Sequence, residues 1–307
     1  MQASALTKRY GAFQALDQCS FEASQGEVLG LLGPNGSGKT TLLRLLMGFL
    51  KPSSGTATID GLDCYRQSVE VHRRLTYMPG DARFPRKLTG RQLLDFFAQL
   101  RQTDRGEAAL QATLPKNVRR IVERLELDDS RPVGQMSTGM RQKLALAATL
   151  APEVPLLVLD EPTSNLDPTT RQVVLQLLGE AKEAGKTVLF SSHVLSEVEE
   201  ICDRVIFLQA GRLVETVRMT DVRRQHSIHA KLTGPLASPH DKLAEQLRIL
   251  PDSNGGVTIL TDGPLQPLLG WLAEQPLAEL QIEPVGLRAV YERHHHGKND
   301  QRPADIP

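Results

Sequence analysis

Residues 33 to 41 read GPNGSGKTT, set between the apolar run VLGLL (28–32) and the leucine-rich TLLRLLMGFL (41–50). The stretch has the phosphate-loop spacing G-x-x-x-x-G-K-[ST], with Gly33, Gly38, Lys39 and Thr40 in the fixed places. Pro34, Asn35, Gly36 and Ser37 fill the loop, and Thr41 follows it. A short apolar run before the motif suits a buried parallel strand, and the leucine spacing after it suits a helix. The glycines let backbone N–H groups turn inward onto anionic oxygens, and the following helix adds its positive end. In such a loop Lys39 reaches the β- and γ-phosphates, and Thr40 offers its hydroxyl to Mg²⁺. A nucleoside triphosphate site is expected here.

Two further stretches have the same shape, an apolar strand ending in a chemical group. LLVLDEPT (156–163) places Asp160 at a strand's carboxyl end, the end that faces the ligand crevice of an open α/β sheet. Asp160 suits the Mg²⁺ shell, and Glu161 suits the base that takes a proton from the attacking water. TVLFSSH (187–193) brings His193 to the same edge, where it can contact the γ-phosphate and position that water.

Bulk properties narrow the classes. Lys plus Arg (36) equals Asp plus Glu (36), which counts against a nucleic-acid binder. No run approaches the roughly 18 apolar residues of a membrane span. The opening MQASALTKRYG has no signal-peptide pattern. Cys19, Cys64 and Cys202 lie too far apart for a disulfide framework or a zinc spacing, as in a cytosolic protein with ordinary thiols.

In order and type, these motifs resemble the nucleotide-binding subunit of ATP-binding cassette (ABC) transporters. The resemblance covers about residues 3 to 217. It adds MSTGM (136–140) at the place of the family's LSGGQ signature, and the loop SNLD (164–167). It implies an ATPase that works as a head-to-tail dimer, with each ATP between the phosphate loop of one cassette and the signature of the other. On that pattern Ser137 and Gly139 touch the partner's γ-phosphate, while Thr138 and Met140 depart from the family residues. A hydroxyl and unhindered N–H groups at a helix N-terminus do form an anion site, although Ser137 or Thr138 also suits a plain helix cap. Tyr10 matches the aromatic that stacks on adenine, and Asp167 matches the acidic end of the loop coupling the two ATP sites. One departure stands out. The family carries a glutamine after the strand near residue 77, sensing Mg²⁺ and the membrane partner, but LTYMPGDARFP (75–85) has Gly80 there, followed by Asp81. Either Asp81 takes over, or the contact is missing.

The expected fold is α/β: a phosphate-loop cassette over residues 1–220, with a parallel core sheet, an antiparallel β subdomain and a helical subdomain at about 84–137. TATIDGLD (56–63) suits a hairpin with Gly61 at its turn, and VIFLQAGRLVE (205–215) suits a closing one. Residues 226–296 read as a small α/β domain: strand SIHAKLTG, helix DKLAEQLRIL, strand GGVTILTDG, helix LQPLLGWLAEQ, strand ELQIEPV, helix LRAVYERHH. This part resembles the C-terminal appendage of ABC-2 type exporter ATPases, serving as a dimer-stabilising or a regulatory unit. The triplet His294–His296 is a candidate metal cluster or a solvated tail, and residues 297–307 read as disordered.

The function expected is an ATP-hydrolysing subunit of a membrane exporter, with ATP and Mg²⁺ as ligands. The expected partners are a second cassette and separate permease subunits, with no nucleic acid. The expected place is the cytoplasmic face of a membrane. An importer ATPase with a regulatory C-terminal domain, and a soluble cassette acting on ribosomes or DNA, are the alternatives.

Overall fold

A computed structural model describes residues 1–104, 115–251 and 256–295. Two compact units divide the chain, Met1–Thr216 and Val217–Pro307, the division falling just before the expected boundary at 220.

The first unit contains two sheets. The antiparallel sheet has the order Phe13–Glu22, Gln2–Tyr10, Ser54–Ile59, Leu62–Asp63. Its last two strands meet in the hairpin read from TATIDGLD. Asp60 and Gly61 both have positive φ (49° and 78°), the turn geometry whose twist matches paired strands. The second sheet has six strands in the order Arg212–Arg218, Arg204–Gln209, Val28–Leu32, Thr187–Ser192, Leu156–Asp160, Leu75–Met78. From Arg204–Gln209 to Leu75–Met78, each neighbouring pair is parallel. Val28–Leu32, Leu156–Asp160 and Thr187–Ser192 are buried along their whole length. Apolar side chains on both faces of a strand require cover on both, which is why these runs do not alternate with polar residues. Helix Lys39–Leu46 buries Leu42, Leu43, Leu45 and Leu46 in one core with Leu29, Leu31, Val158 and Leu189.

Helices Gly90–Asp104 and Lys116–Arg124 follow strand Leu75–Met78, and helix Thr138–Leu150 follows them. Lys116–Arg124 buries Val118, Ile121 and Val122. On its polar side, Arg120 and Arg124 both pair with Glu180 of helix Pro168–Glu183. The polar stretch expected to precede Pro115 lies mostly outside the described residues.

The second unit has a four-stranded antiparallel sheet in the order Leu247–Pro251, Gly256–Thr261, His226–Leu232, Leu277–Pro284. Counted along the chain this order is 2-3-1-4, the split β-α-β arrangement of ferredoxin-like folds. Helix Leu265–Ala273 places Leu268, Trp271 and Leu272 on Ile228, Val257 and Ile259 of the sheet. One expectation is corrected here. The helix read over 241–250 is a single turn, Asp241–Ala244, and Leu247–Pro251 is a strand. Leu243, Leu247 and Leu250 satisfy a helical period, but Leu247 and Ile249 equally satisfy alternation. Pairing with Gly256–Thr261 and contact with the core decide for the strand. His296 and the tail from 297 lie outside the described residues.

Candidate functional site

Four parallel strands end at one edge of the six-stranded sheet, and each delivers a loop to it. Leu32 leads into the phosphate loop, Met78 into Pro79–Asp81, Asp160 into Glu161, and Ser192 into His193. A cleft of about 860 Å³ opens there. Pro34 to Thr41 line it, with Asp160, Glu161, Gly80, Asp81 and Arg83 opposite.

The loop's shape depends on missing Cβ atoms. A Cβ at Gly33 would sit 2.3 Å from the Leu208 carbonyl oxygen and 2.6 Å from Ser37 Oγ. Gly38 has φ 109°, and a Cβ there would meet the Ala15 carbonyl oxygen at 2.8 Å. Lys39 is buried and donates to the carbonyl oxygens of Gly33 (2.8 Å) and Pro34 (3.4 Å), with Glu161 Oε1 at 3.7 Å. Ser37 Oγ is buried without a hydrogen-bond partner. An orphaned buried hydroxyl, curled backbone N–H groups and a sequestered ammonium together fit an anion of phosphate type.

Thr40 Oγ1 donates to Asp160 Oδ2 at 3.1 Å. The other oxygen, Asp160 Oδ1, accepts from Ser191 Oγ at 2.7 Å. Two hard oxygens, one a buried carboxylate, beside a phosphate cradle are the donor set Mg²⁺ takes while keeping several waters. Thr40 and Asp160 are the residues that could hold it. Among the described residues, no group of three or more His, Cys, Asp or Glu could bind a metal by itself.

Glu161 has φ 53°, a region that β-strand ends of non-glycine residues avoid. Its N–H donates to Ser191 Oγ at 3.0 Å, and its carbonyl accepts from Gln142 Nε2 at 3.2 Å. Its carboxylate reaches toward Lys39 on one side and pairs with His193 Nδ1 on the other. The acid, the lysine and the histidine read from separate motifs therefore form one contiguous set.

Other residues are placed elsewhere. Ser137 caps helix Thr138–Leu150, accepting from the Met140 N–H at 3.2 Å. A Cβ at Gly139 would press on the Asn165 carbonyl oxygen at 3.1 Å, so the glycine lets this helix mouth pack on the SNLD loop. Neither Ser137 nor Gly139 lines the cleft. Asp167 caps helix Pro168–Glu183 and takes two hydrogen bonds from Thr170, which hold its carboxyl below the usual range. Tyr10 is not at the cleft, and the Lys8 ammonium lies 5.0 Å over its ring. Its cross-strand partner Phe13, 66% exposed, does line the cleft.

Sequence reasoning missed Phe13, Ser191 and Gln142. The two serines in TVLFSSH were a visible signal, since a hydroxyl in an apolar strand needs a partner. Gln142 gave none, because its role comes from tertiary packing. Tyr77, on the strand before Gly80, has its hydroxyl pushed up to about 12 by burial, with the charge of Asp160 adding to the shift.

The fold and this site define a phosphate-loop nucleoside triphosphatase. Residues 16–164 match the family described as ABC transporter. The chain is 35% identical over 204 residues to ABC transporter ATP-binding protein NatA of Bacillus subtilis (strain 168), covering 66% of this chain and 80% of that protein. It is 38% identical over 216 residues to daunorubicin resistance ATP-binding protein DrrA2 of Streptomyces coeruleorubidus, covering 70% of this chain and 65% of that one. A solved structure, described as an ATP binding subunit of an ABC transporter, superposes with a TM-score of 0.64 at 27% identity, covering 73% of this chain and 91% of that one. The chain belongs to the ATP-binding proteins of ABC transporters, and it is an ATPase.

Proposed function

We propose that this chain powers a multi-subunit ABC exporter, working as a cassette dimer on separate integral-membrane permease subunits at the cytoplasmic face of a membrane. The observation that carries this reading is an incomplete site. The cleft holds Lys39, Thr40, Asp160 and Glu161, while the helix mouth with Ser137 and Gly139 lies off it on the same chain. A second copy in reversed orientation supplies that mouth to the open side of the cleft.

Within the site, Lys39 leaves its carbonyl partners for the β- and γ-phosphate oxygens, and Ser37 Oγ gains the partner it lacks. Thr40 and Asp160 hold Mg²⁺, which when bound screens charge on the phosphates. Glu161 accepts the proton of the attacking water, and His193, in contact with Glu161, orients that water toward the γ-phosphate. The partner's Ser137 hydroxyl and Gly139 N–H steady the transferring group from the other side. Phe13, which lines the cleft, and Tyr10, its cross-strand partner outside it, are the aromatics offered to the base. Asp167 stiffens the loop beneath the neighbouring site.

Closing of the dimer is then passed on through the helices after strand Leu75–Met78. An apolar groove of about 650 Å³ lies there, walled by Phe84, Leu94, Phe97, Val118 and Ala145. Its composition suits an amphipathic segment of a permease loop. Among the described residues no helix is long and apolar enough to cross a membrane. Export is favoured by the relative named for daunorubicin resistance. Purification from membranes tests the reading. A polytopic permease that co-purifies and raises ATP turnover is the expected result; ribosomes or DNA in its place would end it.

A further inference from the structure

The wall between the two cavities is a single short segment. Tyr77, Pro79 and Arg83 line both the nucleotide cleft and the apolar groove. Position 80 faces the metal-binding acid: a Cβ there would lie 3.4 Å from the Asp160 carbonyl oxygen and 3.7 Å from its carboxylate. Yet it is glycine, so it offers that acid no functional group. The charged groups in the segment are the next ones along. Asp81 Oδ2 accepts from Arg83 Nε at 2.9 Å and from Arg83 Nη2 at 2.8 Å. Both side chains are largely exposed, at 77% and 87%.

We propose that Arg83, held in reserve by Asp81, is the residue that links ATP in the cleft to the shape of the groove. The inference rests on the reading of the cleft as an ATP site and of the groove as a docking site. An exposed pair such as Asp81–Arg83 holds weakly. A triphosphate is a far stronger partner for a guanidinium, because it offers several anionic oxygens to the planar fork at once. When ATP enters, Arg83 leaves Asp81 for a terminal phosphate oxygen. Of the three shared residues it alone is charged, so its movement changes both cavities together. ADP lacks the terminal group and leaves the Asp81–Arg83 pair closed. The backbone at Gly80 supplies the pivot.

Amide hydrogen exchange tests this in the Glu161→Gln protein, which is expected to bind ATP without turning it over. With MgATP, and not with MgADP, exchange over residues 75–84 and 94–101 should slow several-fold. Arg83→Ala should abolish that difference while leaving protection of residues 33–41 in place. Arg83→Lys should restore part of it, and Asp81→Asn, which frees Arg83, should lower the ATP concentration for half the effect several-fold. A groove response that survives in Arg83→Ala overturns the proposal. So does the absence of any difference between ATP and ADP in a protein whose phosphate loop is protected by both. If neither nucleotide protects residues 33–41 in the parent protein, the ATP-site reading fails instead.

Discussion

Glu161 holds a backbone conformation that costs a non-glycine residue of the order of 1–3 kcal/mol. Its neighbours hold it there. Ser191 is central to that hold, since its hydroxyl accepts from the Glu161 N–H and donates to Asp160. Ser191→Ala leaves the buried Asp160 Oδ1 unpaired, while the Glu161 N–H keeps the Ser191 carbonyl oxygen as acceptor; a loss of about 1–3 kcal/mol in urea unfolding is expected, with weakened Mg²⁺-dependent ATP binding. Glu161→Gln keeps the shape but not the base. Phosphate release should fall by about 10²–10⁴ while ATP still binds. Phe13→Ala removes an exposed ring from the cleft mouth, and base stacking on such a ring is worth about 1–3 kcal/mol. ATP affinity should drop accordingly, with affinity for inorganic tripolyphosphate unchanged, as calorimetry can show.

At the scale of elements, legibility followed burial. Val28–Leu32, Leu156–Asp160 and Thr187–Ser192 were readable because a fully buried strand leaves an uninterrupted apolar run, and a chemical group follows each. Leu247–Pro251 was not, because its leucines fit both periods and only its sheet partner decides. Tyr10 was readable as an aromatic, but the hairpin that turns Phe13 to the cleft is set by strand register, which no local pattern records. Strand Leu75–Met78 also carries a pH signature. Tyr77, raised to about 12 mainly by burial, keeps its proton in the folded state between pH 10 and 12, where the unfolded chain loses it. The stability this confers is complete below pH 10 and is lost as pH rises toward 12. Chemical unfolding between pH 9 and 11.5 should show a shallower alkaline decline in Tyr77→Phe than in the parent.

Each of the two units has a core of its own among the described residues. Trp271, the one tryptophan in the sequence, is buried in the second, so its fluorescence reports that unit alone. Ile259→Ala, at a fully buried position of that core, should cost about 2–5 kcal/mol by tryptophan fluorescence and leave ATP affinity unchanged. The central claim concerns two copies rather than one: a cleft that one chain opens is finished by another's Ser137 and Gly139. Sedimentation of the Glu161→Gln protein addresses it most directly. A species of twice the chain mass with MgATP, reverting to single chains with MgADP and lost in Ser137→Arg, is the expected result. Single chains at saturating MgATP, both alone and bound to the permease, would contradict it.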